Sequence, residues 1–184
     1  MSDKLILDVR VSGYKEAPTR LIAVLDVASG QLYISDEKPF KPVKRERSVV
    51  EMVKDKLRRN KTLIITDSPD LDDWNLLYIE KEHLNEVVRA YRSKDRDKLL
   101  SMDPKVQGRY SPDSVLQPRK LDINTGAVWE LSTETSNGHI CVLLACWGAM
   151  RSTSNFMFAT QLHQDLTGVE HEPDSNDFDE PFSI

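Results

Sequence analysis

Residues 5–11, LILDVRV, decide how this chain is read. The run is almost continuously apolar and rich in β-branched residues around Asp8, which marks a strand lying centrally in a sheet. Residues 20–27 (RLIAVLDV) and 31–35 (QLYIS) predict two more strands, and the Ser29-Gly30 turn between them makes these a hairpin. A connector with two prolines, residues 38–42, leads into a helix predicted over 43–59. There Val49, Val50, Val53 and Leu57 share one stripe at the 3.6-residue period. Residues 61–66 (KTLIIT) form a fourth strand, ended at Asp67-Ser68-Pro69, where proline stops the ladder.

Further on the pattern loosens. Residues 71–78 predict a short turn and then an extended piece. Residues 81–100 predict a helix with Leu84, Val87, Val88, Tyr91 and Leu99 on its apolar face. Residues 103–124 hold Pro104, Pro112 and Pro118 with weak periodicity and read as a long loop. Residues 126–131 (GAVWEL) predict a last strand. Helices follow over 139–151 and 154–166, with Gly168 as a stop. The order of three strands, helix, strand, helix, strand, helix predicts an α/β protein: a mixed sheet with helices packed on it.

A chain of 184 residues with 39% hydrophobic and 30% charged residues can build a real core. Residues 1–169 are expected to form one α/β domain and residues 170–184 an acidic tail outside it. The longest apolar run, 140–147, is too short to span a bilayer, and residues 1–4 lead straight into a strand with no signal segment. Cys141 and Cys146 fall on different faces of a helix, so they read as buried free thiols in a reducing, cytoplasmic compartment. The net charge of −5 conceals an asymmetry. All 25 Lys and Arg lie at or before Arg151, while six of the 30 acids lie in the last fifteen residues. The body is nearly neutral, which permits a polyanionic partner without demanding one.

Asp8 lies inside one apolar strand and Asp67 ends another. Carboxylates so placed are costly unless paired, hydrogen-bonded or bound to metal. Glu46 is centred on the buried stripe of the 43–59 helix, one turn before its valines, and points toward the strand ends. Clustered carboxylates suit Mg²⁺ or Mn²⁺, and a pair of such ions can activate water and stabilise the leaving oxygen in phosphodiester cleavage. Two of these acids also have a structural reading. Asp67 can cap a turn, and Glu46 can favour a helix start through the dipole.

Asp8 in LILDVRV, Glu46 in KRERSVVEMV and Asp67 in LIITDS stand 38 and 21 residues apart. This order resembles the ribonuclease H-like superfamily, mainly over residues 4–70. The resemblance implies that fold, with a three-strand meander, a helix crossover and further strands. It also implies a metal-dependent nuclease (a hydrolase) acting on nucleic acid, with Asp8, Glu46 and Asp67 as metal ligands. The family's further Asp, near the start of its last helix, falls here at Asn137, a neutral amide that offsets no ion charge; Glu134 is the nearby acid that could substitute. The glycine-rich stretch after the first strand is reduced to Gly13. These departures favour the rival reading, a non-catalytic nucleic-acid- or protein-binding adaptor on the same fold.

His139 could contact phosphate or help product leave, or simply begin a helix. Lys81, Arg89, Arg92, Lys94, Arg96 and Lys98 are interleaved with Glu80, Glu82, Glu86, Asp95 and Asp97, which reads as an ordinary solvated helix face. Lys105, Arg109, Arg119 and Lys120, with Tyr110, give the 103–124 segment a basic character suited to a nucleic-acid backbone. The tail, with Phe178 and Phe182, reads as disordered from its charge or as a segment that docks a protein partner. The apolar helix near 140–151 could alternatively join the chain to a larger nucleoprotein assembly.

Overall fold

A computed structural model of the chain describes residues 3–13, 17–38, 49–50, 62–69, 74–122 and 126–154. The elements are β1 Lys4–Val11, β2 Thr19–Asp26, β3 Leu32–Ile34, β4 Thr62–Thr66, β5 Leu76–Leu77, helix α1 Glu80–Arg96, β6 Leu100–Met102, helix α2 Pro104–Tyr110, a 3₁₀ turn Pro112–Ser114, β7 Leu116–Asp122, β8 Gly126–Leu131 and helix α3 Asn137–Ser154. The backbone divides into two compact units, Met1–Met150 and Arg151–Ile184. Residues 155–184, which include the expected 154–166 helix beyond Ser154, Phe156, Phe158 and the acidic tail, lie outside the described residues.

The main sheet has six strands in the order β5-β4-β1-β2-β3-β6. β1, β2 and β3 form an antiparallel meander, while β4 returns parallel beside β1 and β5 is parallel to β4. The fold is therefore mixed α/β, and β1 sits inside the sheet as its apolar run required. Side-chain parity divides the two faces. Leu7, Val9 and Val11 on β1 align with Ala23, Leu21 and Thr19 on β2, and Leu7 and Val9 with Leu63 and Ile65 on β4. All but the half-buried Leu63 are buried.

α3 covers this face. Residues 140–149 of α3 are buried on every side, with Trp147 among the largest core side chains. The apolar helix is thus spent inside the chain's own core. Gly148 permits its close approach to the sheet, since a Cβ there would collide with Cδ1 of Ile65 on β4. Cys141 Sγ lies against the carbonyl oxygens of Val9 and Thr19. Both cysteines are free and buried. No helix among the described residues is long and apolar enough to cross a membrane.

Several expectations need correction. Residues 103–122 are not a loop. Asp103 caps α2 by accepting from the Lys105 N–H, Pro104 occupies the first turn, and β7 follows the 3₁₀ turn. Residues 126–131 are a strand, but β8 pairs with β7 in a separate two-stranded sheet. The helix expected over 81–100 ends at Arg96, and residues 100–102 form β6 beside β3. Its end is a Schellman motif: Lys98, with φ 58°, donates to Asp95 O and Leu99 donates to Lys94 O. Val49 and Val50 are helical yet 70% and 63% exposed. Periodicity says which residues share a face, not whether another element meets it. The other residues of the expected 43–59 helix, including Glu46, lie outside the described residues.

Candidate functional site

Asp8 occupies the face of β1 opposite Leu7 and Val9, and is only 4% exposed. Two neighbours on that face meet it. Arg10, two residues along the strand, donates from Nη2 to Oδ2 at 2.8 Å and from Nε to Oδ1 at 3.3 Å. Arg20, opposite Arg10 on β2, donates from Nε to Oδ1 at 2.9 Å and from Nη2 to Oδ2 at 3.0 Å. Each guanidinium thus grips both oxygens of one carboxylate, the strong bidentate form of the pair. Burial pushes the Asp8 carboxyl upward, but the hydrogen bonds from Arg20 and Arg10, aided by their charge, outweigh it and hold it below the ordinary aspartate value.

Asp67 follows the last residue of β4, so its parity is opposite to that of Ile64, the residue level with Asp8. It turns to the end of β1. Oδ1 accepts from Ser12 N at 2.9 Å and Oδ2 from Gly13 N at 2.7 Å. A Cβ at residue 13 would collide with Oδ2, so glycine is what lets the backbone close on this carboxylate. Asp67 thereby ties the turn after β1 to the end of β4.

Asn137 begins α3, is fully buried, and donates from Nδ2 to Ala17 O at 3.1 Å. His139 is buried two residues on. Its Nδ1 accepts from Ser136 N at 3.1 Å and pairs with Ser136 Oγ at 2.8 Å. The ring thus satisfies the Ser136 N–H at the start of α3, one half of a capping-box arrangement. The His139 ring meets Tyr110 edge-on, and Tyr110 donates to Glu37 Oε2 at 3.0 Å. Glu134 is exposed in the turn before α3.

Asp8 and Asp67 are thus engaged on different partners, and Asn137 presents an amide donor to a backbone carbonyl. Among the described residues no group of three or more His, Cys, Asp or Glu side chains could hold a metal ion. A divalent cation needs free carboxylate oxygens, and at Asp8 two guanidinium groups already supply the positive charge. The donors described here do not fit the ion; Glu46, the remaining ligand the resemblance implies, lies outside the described residues. Sequence reasoning missed Arg10 and Arg20. Arg10 was within reach, since residues two apart on a strand share a face. Arg20 required the β1–β2 register.

No family model matches the chain, and comparison with curated proteins and with solved structures finds no significant match.

Proposed function

We propose that the chain is a ribonuclease H-like domain acting as a non-catalytic binding module and not as a metal-dependent nuclease. The observation that carries this reading is the double arginine clamp on Asp8. It neutralises the carboxylate that the nuclease reading would give to Mg²⁺ or Mn²⁺. Support for the fold comes from the meander with β4 returning parallel beside β1. The partners of such a module would be nucleic acid or a protein held through residues 170–184, and two buried thiols suit a reducing compartment such as the cytoplasm.

The test is incubation with hybrid, duplex and branched nucleic acids in Mg²⁺ or Mn²⁺, with calorimetric titration of Mn²⁺ alongside. The expected outcome is no cleavage and no heat of binding attributable to Asp8. Cleavage that disappears in Asp67→Asn, Asp8→Asn and Glu46→Gln would restore the nuclease reading.

A further inference from the structure

Helix α1 carries four acids and five bases, interleaved along the sequence. Around the helix they do not. Taking about 100° per residue and Lys81 as origin, Asn85, Arg89, Arg92 and Arg96 fall at roughly 40°, 80°, 20° and 60°. Five residues thus occupy one sector of about 80°. Four are basic, the fifth is an amide, and no carboxylate lies inside it. Glu82 and Asp95 border the sector, and Glu80 and Glu86 lie beyond. Lys94 is on another side, half-buried, with its ammonium against the Gly30 carbonyl in the β2–β3 turn.

The four bases of the stripe, Lys81, Arg89, Arg92 and Arg96, are exposed, while Asn85 between them is half-buried against β8. Among the described residues none of Lys81, Arg89 and Arg92 has a carboxylate partner, and Arg96 meets only the solvent-facing Asp97 at 3.3 Å. The middle of the stripe is held in place by the β7–β8 hairpin. Asn85 Oδ1 accepts from Trp129 N at 3.1 Å, and the Arg92 guanidinium sits 4.8 Å from the centre of the Trp129 ring. From Lys81 to Arg96 the stripe runs about 22 Å.

We infer that this stripe of α1, backed by Trp129, binds the phosphate backbone of a nucleic acid. Its chemistry selects that partner over an acidic protein. Protein interfaces gain their affinity from buried apolar and aromatic anchors at the centre of the patch. The sector here has none, and Trp129 beside it is covered by Arg92. Nucleic-acid interfaces are polar and strongly positive, and a row of cations on a rigid helix meets evenly repeated phosphates. The contact is non-sequence-specific and separate from Asp8 and Asp67. It rests on the binding-module reading and gives that module its partner.

The experiment is fluorescence anisotropy of the full chain with a labelled oligothymidylate, over a salt series in EDTA, so that no metal-dependent cleavage can intrude. Lys81→Gln/Arg89→Gln/Arg96→Gln is compared with Lys4→Gln/Lys38→Gln/Lys98→Gln, which removes the same charge at exposed lysines outside the stripe. Arg92 is spared because it packs on Trp129. The expected result is an affinity loss of about tenfold or more in the stripe variant only. Its log–log salt slope should flatten by about 2, near 0.7 for each of three lost contacts. Equal losses in both variants, no binding by the parent chain, or polyglutamate competing as well as unlabelled oligonucleotide would each overturn the inference. Cleavage in a parallel Mg²⁺ arm would count against the non-catalytic reading alone, leaving the stripe to be judged by the anisotropy.

Discussion

At the scale of single residues, Asp8 joins sequence to function most directly. A carboxylate in a central strand demands compensation, and Arg10 and Arg20 supply it without an ion. Replacing Asp8 by Asn removes the charge but keeps one acceptor. The two guanidinium groups, with side chains 19% and 31% exposed, can partly rehydrate, so the expected loss is about 2 kcal/mol, less than for a fully buried pair. Urea denaturation of both proteins would measure it. The pH dependence follows from the lowered carboxyl. A group with a lower pKa folded than unfolded binds fewer protons in the native state, so its contribution is complete above the unfolded value, near pH ~4, and is lost as pH falls through the folded one. Wild type should therefore lose stability below pH ~4 more steeply than Asp8→Asn; parallel slopes would contradict the clamp. The need for compensation was legible in LILDVRV. Of its source only Arg10, two residues along the same strand, lay within reach of the sequence; Arg20 did not, and a divalent cation answers the same electrostatic demand as a second arginine.

Elements show where pattern reading succeeds and where it stops. Long periodic segments stood out: β1, β2, β4 and the helices α1 and α3 all came from apolar spacing. α2 and β7 were hidden by prolines that sit where proline does no harm. Pro104 lies in the first turn of a helix, where its missing N–H would have no partner, and Pro118 adjoins a register shift in the β7–β8 pair. β6 is too short for its three residues to announce a strand. The packing of α3 on β4 gives an element-scale prediction. Gly148→Ala would improve intrinsic helix propensity yet drive a methyl into Ile65, for a net cost of about 1–2 kcal/mol. Adding Ile65→Val removes the colliding carbon, so the double mutant should recover most of that loss. A coupling energy near zero in the thermal-unfolding cycle would show that the close approach does not govern this packing.

At the scale of the molecule, the described residues form an apolar core in which the face of β1, β2, β3 and β4 meets residues 140–149 of α3, buried on all sides. Both cysteines lie within it. Burial, above all, pushes the Cys146 thiol up to about 12, and burial also raises Cys141 well above the ordinary thiol value. Native protein should therefore leave both thiols unreacted with a disulfide reagent at neutral pH, and denaturant should release two equivalents. Rapid native labelling would mean that α3 opens readily from the sheet. Sequence alone determined that the chain is α/β, that β1 and β4 are central strands, that 140–147 is buried, and that Asp8 needs a partner. These follow from periodicity and composition, which act over a few neighbouring residues. Tertiary structure alone decided which partner Asp8 has, which way Asp67 faces, and that β8 leaves the main sheet for its own hairpin. Those outcomes depend on register and parity between distant strands, where a shift of one residue moves every side chain to the other face.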